Sequence, residues 1–172
     1  MRRILFDTSI YGYLESDPHT LEIIKIKYKK DFILYGCSTI RKELKNTPKE
    51  IVHEKHKVRI VLLNIYDSFI VKENHDLKYN KLVETLASDY FKEYRKNGGS
   101  LSNDALKNDL IIIATATIYK LDIIVSADKK SMLSEKAIRS YMEVNKIYGM
   151  RDPEFILYEK FKKQLFGGLS SG

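Results

Sequence analysis

The chain has 172 residues, 44% of them hydrophobic and 31% charged, and its 30 Lys and Arg against 23 Asp and Glu leave a net charge of +7. That length suits one domain of ordinary size, and the positive excess suits either an anionic partner, nucleic acid first, or a well-solvated surface. One cysteine excludes an internal disulfide, the scattered histidines exclude a zinc centre, no apolar run approaches the ~20 residues of a membrane span, and Met1-Arg2-Arg3 is charged too early for a signal peptide, so a soluble cytoplasmic protein is expected.

RRILF (2–6) is a short, apolar, β-prone run and predicts a strand. YGYLES (11–16) reads as helix, stopped by Asp17-Pro18. Leu21, Ile24 and Tyr28 at helical spacing predict a second helix over 19–30. DFILYGCS (31–38) is another apolar strand, with Cys37 as a buried thiol. A helix over 39–46 follows, which Ser38 is placed to cap.

After Pro48, residues 49–66 resume an amphipathic pattern, and SFIVKE (68–73) reads as a short extended piece. Residues 77–96 predict a long helix ended by Asn97-Gly98-Gly99. NDALKNDLIIIATATIYK (103–120) contains a strand-like LIII, but its length without Gly or Pro and its helical apolar spacing predict a buried helix. DIIVSA (122–127) is a third strand, 134–147 a helix, and Asp152-Pro153 the start of a last helix running to Gly167-Gly168.

Solid apolar strands alternating with helices predict a mostly parallel sheet covered on both faces. Residues 47–100 form one long helical excursion within a single domain, 1–172.

Two of those strands end in acids, Asp7 and Asp128. In a parallel sheet the carboxyl ends of the strands share one edge, and ligands bind there. Glu43 lies on the helix leaving the second strand. Asp109 lies near the start of the buried helix, which returns to the same edge if it runs antiparallel to the strands. Taken singly, each acid has a plain reading: Asp7 as a helix cap, Glu43 as a solvated partner of Arg or Lys, and Asp104 and Asp109 as first-turn charges. Together, four converging carboxylates repel unless a cation compensates. An all-oxygen set suits Mg²⁺ or Mn²⁺, and the chemistry it serves most readily is phosphodiester hydrolysis.

FDTS (6–9), Ser38 with Glu43, DLIIIATA (109–116) and IIVSAD (123–128) resemble, in order and spacing, the signatures of the PIN domain family. The resemblance covers about residues 2–148. It implies a three-layer α/β/α fold and a Mg²⁺- or Mn²⁺-dependent endoribonuclease, as in the VapC-like toxins. Asp7, Glu43, Asp109 and Asp128 would form the catalytic, metal-binding quartet, with Ser9 and Ser126 supporting the acids.

Asp104 is a further acid that could supplement Asp109, although five residues of spacing put the two about 140° apart on a helix. RNA is the implied substrate, an antitoxin protein a candidate partner, and a homodimer the implied assembly, with no membrane. Arg41, Lys45 and Lys129 are candidate phosphate contacts. The alternative is a PIN-fold module that binds RNA or scaffolds without cutting. Haloacid-dehalogenase phosphatases and response-regulator receivers fit less well: the former want an acid where Ser9 stands, the latter a phosphoacceptor Asp where Ser38 stands.

Overall fold

The computed structural model describes residues 1–167. In chain order the elements are β1 (Arg2–Phe6), α1 (Thr8–Ser16), α2 (Pro18–Lys27), β2 (Phe32–Cys37), α3 (Ser38–Lys45), β3 (Val52–His53), β4 (His56–Lys57), α4 (Val58–Tyr66), a π-helical turn (Asp67–Val71), β5 (Asp76–Leu77), α5 (Lys81–Lys96), α6 (Asn103–Ile118), β6 (Ile123–Ser126), α7 (Glu135–Tyr148), β7 (Glu154–Leu157) and α8 (Tyr158–Gly167). Five strands form one parallel sheet in the order β5-β2-β1-β6-β7. Its central register pairs Ile4 with Leu34 on one side and with Ile123 on the other. These strands read as unbroken apolar runs because both faces are covered. Helix α5 packs on both α6 and α7, α1, α3 and α4 pack on one another, and α2 packs on α8.

The order of the sheet reverses between β1 and β6: the chain leaves β1 for β2 on one side and later builds β6 and β7 on the other. Such a reversal opens a crevice beyond the carboxyl ends of the two strands. Asp7 follows β1 there and Asp128 follows β6. At the opposite edge, α6 turns into β6 and the Asp122 N–H donates to the Arg3 carbonyl at 2.9 Å. The helix therefore does run antiparallel to the strands, and its first turns lie at the crevice.

Four expectations change. Pro153 precedes a strand, not a helix: EFIL pairs with β6 as β7, and the last helix starts at Tyr158. The expected stop at Gly167-Gly168 extends past the described residues. Ser38 is the first residue of α3 rather than its cap. The extended piece expected over 68–73 is the π-helical turn. The stretch 47–100 is helical only in part, since it holds the antiparallel hairpin β3–β4 and the edge strand β5. Tyr66 anchors that edge strand, its hydroxyl lying 2.6 Å from Asp76 Oδ1 and 3.0 Å from the Cys37 carbonyl.

Candidate active site

Asp7 occupies the residue before α1, yet its side chain caps nothing. It is buried, and its Oδ2 accepts from the Ser9 hydroxyl at 2.8 Å and the Ser126 hydroxyl at 2.9 Å. Those two oxygens are fixed in turn by backbone donors: Ala127 N–H reaches Ser9 Oγ at 3.2 Å and Asp128 N–H reaches Ser126 Oγ at 3.0 Å. The ends of β1 and β6 are thus stitched together through one carboxylate oxygen.

Asp128 divides its two oxygens. Oδ1 accepts the N–H groups of Lys130 and Ser131 at 2.9 and 2.8 Å and so folds the loop after β6. Oδ2 meets the Ser131 hydroxyl. That hydroxyl also lies 2.8 Å from Asp109 Oδ2, on the second turn of α6.

Glu43, on α3, accepts from the Thr8 hydroxyl on Oε2 and from the Asn108 amide, 2.9 Å away, on Oε1. No Arg or Lys pairs with it among the described residues. Its neighbour Arg41 instead makes a two-pronged contact with Asp67, 2.9 Å at each prong. The four acids thus form one ring made partly of hydrogen bonds and partly of chain neighbours: Ser126 joins Asp7 to the Asp128 N–H, Ser131 joins Asp128 to Asp109, and Asn108 and Thr8, next in sequence to Asp109 and Asp7, both bond Glu43.

Electrostatics follow from this crowding. Burial, countered by the Ser131 hydrogen bond and reinforced by the charges of Asp7, Asp128 and Glu43, pushes the Asp109 carboxyl up to about 7. Burial works against ionisation of Asp128 as well, but the Ser131 hydroxyl and the two loop N–H groups outweigh it and hold that carboxyl below its ordinary value.

The donor set is all oxygen, which suits a hard divalent cation. Even so, among the described residues no three His, Cys, Asp or Glu side chains stand placed to hold a metal ion. The hydroxyls of Ser131 and Thr8 occupy one oxygen each of Asp109, Asp128 and Glu43, so the donors match in kind while the acids meet through spacers.

Asp104 is exposed in the first turn of α6 and makes no hydrogen bond to the ring among the described residues. Lys45 and Lys129 are exposed and in no ion pair among the described residues, whereas the guanidinium of Arg41 is engaged by Asp67. Sequence reasoning missed Ser131, Thr8 and Asn108 as partners of the acids. Ser131 had a readable sign, three residues beyond Asp128, where a side-chain oxygen commonly bonds the loop. Asn108 had none, because it gains its role only when α6 meets α3.

No family model matches the chain, and no curated protein matches it. Solved structures do. VapBC-1 from nontypeable Haemophilus influenzae aligns over 91% of this chain and 98% of its own, with TM-score 0.57 and 13% identity. VapBC2 from Rickettsia felis, bound to a DNA fragment from its promoter, gives 0.56 and 15% over the same shares. FitAcB from Neisseria gonorrhoeae gives 0.55 and 17% over 89% and 96%. The chain has a PIN-like fold. At these identities the likeness is one of architecture, and in that PIN-like architecture the carboxylate ring lies in the crevice between β1 and β6.

Proposed function

We propose that the chain is a Mg²⁺- or Mn²⁺-dependent endoribonuclease whose acids are Asp7, Glu43, Asp109 and Asp128. The observation that carries this is the ring itself. Four carboxylates, from the end of β1, α3, α6 and the loop after β6, lie close enough at the switch point of the sheet for Asp7, Asp128 and Glu43 all to act on Asp109, and serine, threonine and asparagine side chains bridge their neighbourhood. None of them has a cationic side-chain partner among the described residues.

A bound divalent cation supplies a water of lowered pKa and neutralises charge on the phosphate. The chain's part is to fix the ligands. Ser9 and Ser126 hold Asp7 rigid at the strand end, and the loop N–H groups hold Asp128. Asp109 must shed its proton to bind a cation. Glu43 stands beside Asn108, whose amide keeps its carboxylate turned to the crevice. Lys45 and Lys129, both exposed, are assigned to backbone phosphates of the substrate, which they would position without reading its sequence. The net charge of +7 favours approach of a polyanion to a site that is itself negative. The fold likeness to VapBC structures extends the proposal to a toxin role with an antitoxin partner and a paired assembly.

The competing reading, a module that binds RNA without cutting it, draws on one fact: no three acids stand placed to hold a cation. One experiment separates the two. Purified protein is incubated with a mixed-sequence RNA in Mn²⁺, in Mg²⁺ and in excess EDTA, beside Asp7→Asn. Cleavage that needs the cation and vanishes in Asp7→Asn is the expected result. Binding without cleavage establishes the competing reading, and activity that survives EDTA or Asp7→Asn removes the nuclease assignment.

A further inference from the structure

One cavity opens beside Glu43, and a second shares part of its lining. The first, of about 430 Å³, lies between α3 and α6 and exposes Glu43, Lys42, Lys107 and Asn108. The second, of about 440 Å³, continues along α6 to α5, past Phe91 and Lys92. Tyr79, Lys107 and Ile111 line both, so they form one groove that starts at the acids and leads away from them.

Tyr79 stands at the junction, in the connection between β5 and α5. Its side chain is 48% exposed although the residue is large and aromatic. Its ring stacks on no other aromatic among the described residues, and its hydroxyl makes no hydrogen bond among them. Lys42 and Lys107 are exposed and line the first cavity with Tyr79, and neither is in an ion pair among the described residues. Lys92, farther along, pairs with Asp89 at 3.1 Å. Glu84 also faces the second cavity, so the groove beyond Glu43 mixes one carboxylate with three lysines, of which Lys92 is paired.

An exposed aromatic ring sharing a cavity with two unpaired lysines matches a particular ligand chemistry. A duplex turns its bases inward, whereas a single strand presents a base to stack and phosphates on each side of it. We infer that single-stranded RNA runs along this groove from the carboxylate ring, with one base stacked on Tyr79 and the adjoining phosphates on Lys42 and Lys107. The inference rests on the ribonuclease reading and adds the path of the strand and the residues of this chain that hold it. Continuity with Glu43 and Asn108 favours RNA over a protein segment as the occupant, because a strand held there already reaches the acids.

The test uses the full chain in EDTA, with a fluorescein-labelled 12-nucleotide RNA followed by anisotropy. Tyr79→Ala should weaken binding about tenfold, the size of one lost base–aromatic stack, and Tyr79→Phe should restore it. Removing Lys42 or Lys107 should lower the slope of log affinity against log salt by about 0.7 each. A duplex of the same length should bind more weakly than the single strand. Circular dichroism of each variant separates loss of contact from loss of fold.

If folded Tyr79→Ala binds within twofold of the parent, or the duplex binds better, the groove assignment is wrong. If Tyr79→Ala instead releases a co-purifying protein and leaves RNA binding unmoved, the groove belongs to that protein and the assignment is equally wrong. Cleavage lost in Asp7→Asn alongside either outcome leaves the ribonuclease reading standing. Tyr79-dependent binding in a chain that cuts no RNA overturns that reading and keeps the groove.

Discussion

Ser131 carries one hydroxyl proton and faces two carboxylates, Asp109 and Asp128. Both carboxylates accept from it, and the two acids still divide: burial and the neighbouring acids push Asp109 up to about 7, while the hydroxyl and the two loop N–H groups hold Asp128 below its ordinary value. Ser131→Ala removes a bond that favours the ionised form of both acids and leaves the burial of Asp109 unopposed. A hydrogen bond to a charged group contributes roughly 1.5–3 kcal/mol, so the acidic limb of Mn²⁺ affinity should move up by roughly one pH unit. Ser131→Thr keeps the hydroxyl and should keep the limb near its original place. Titrating Mn²⁺ between pH 5 and pH 8 by calorimetry decides it, and an unmoved limb in Ser131→Ala would mean that the hydroxyl does not govern these acids.

Three helices meet around Tyr90, which is fully buried on α5. Its hydroxyl lies 2.5 Å from Asn145 Oδ1 on α7 and 3.1 Å from Thr117 Oγ1 on α6, and Asn145 donates onward to Asp152 at 2.8 Å. Tyr90→Phe keeps the ring packed against Tyr141 and strands the Asn145 oxygen, which should cost about 1–3 kcal/mol in urea unfolding. A loss below 0.5 kcal/mol, the ordinary scatter of surface changes, would show that the polar junction does not tie the helices. Tyr90 and Tyr94 were readable as core residues, since they repeat at helical spacing among apolar neighbours. So were β1, β2, β6 and α6, whose apolar runs are buried on all sides and need no partner to declare them.

What escaped the sequence needed a partner. EFIL becomes β7 because Ile123–Ser126 offers an open edge, although Asp-Pro ahead of it is a good helix start. The β3–β4 hairpin hid because Glu54 and Lys55 take positive φ, 46° and 69°, without the Gly or Asn that usually marks such a turn. Of the site, the acids were legible from strand ends and spacing, while Asn108, Thr8 and Ser131 acquire their roles only from the crossing of elements.

At the scale of the molecule, a basic protein builds an acidic crevice, and the cost falls on Asp109. Its carboxyl titrates near the ordinary 3.8 when the chain is unfolded and near 7 when folded. The folded state therefore holds more protons between those values, and stability falls as pH rises through the interval. No penalty exists below about pH 4, and the full penalty is present above about pH 7. A gap of that size corresponds to at most about 4 kcal/mol.

Asp17, held near 2 chiefly by Lys162, acts in the opposite sense, but its contribution is complete above about pH 4 and leaves the window clear. His53 does overlap. Its contact with Glu15 raises it, so its stabilisation also fades with rising pH, and a His53→Gln background removes that contribution. In EDTA and that background, unfolding free energy should fall from pH 4.5 to pH 7.5 with Asp109 present and stay nearly level in Asp109→Asn. Mn²⁺ at a hundredfold excess over its Kd should then return about 2.7 kcal/mol at pH 7.5, and Asp109→Asn should gain much less. Parallel pH profiles with and without the Asp109 carboxylate, or equal rescue of both proteins by Mn²⁺, would show that the repulsion is not centred on Asp109 and that the crevice is not where the cation binds.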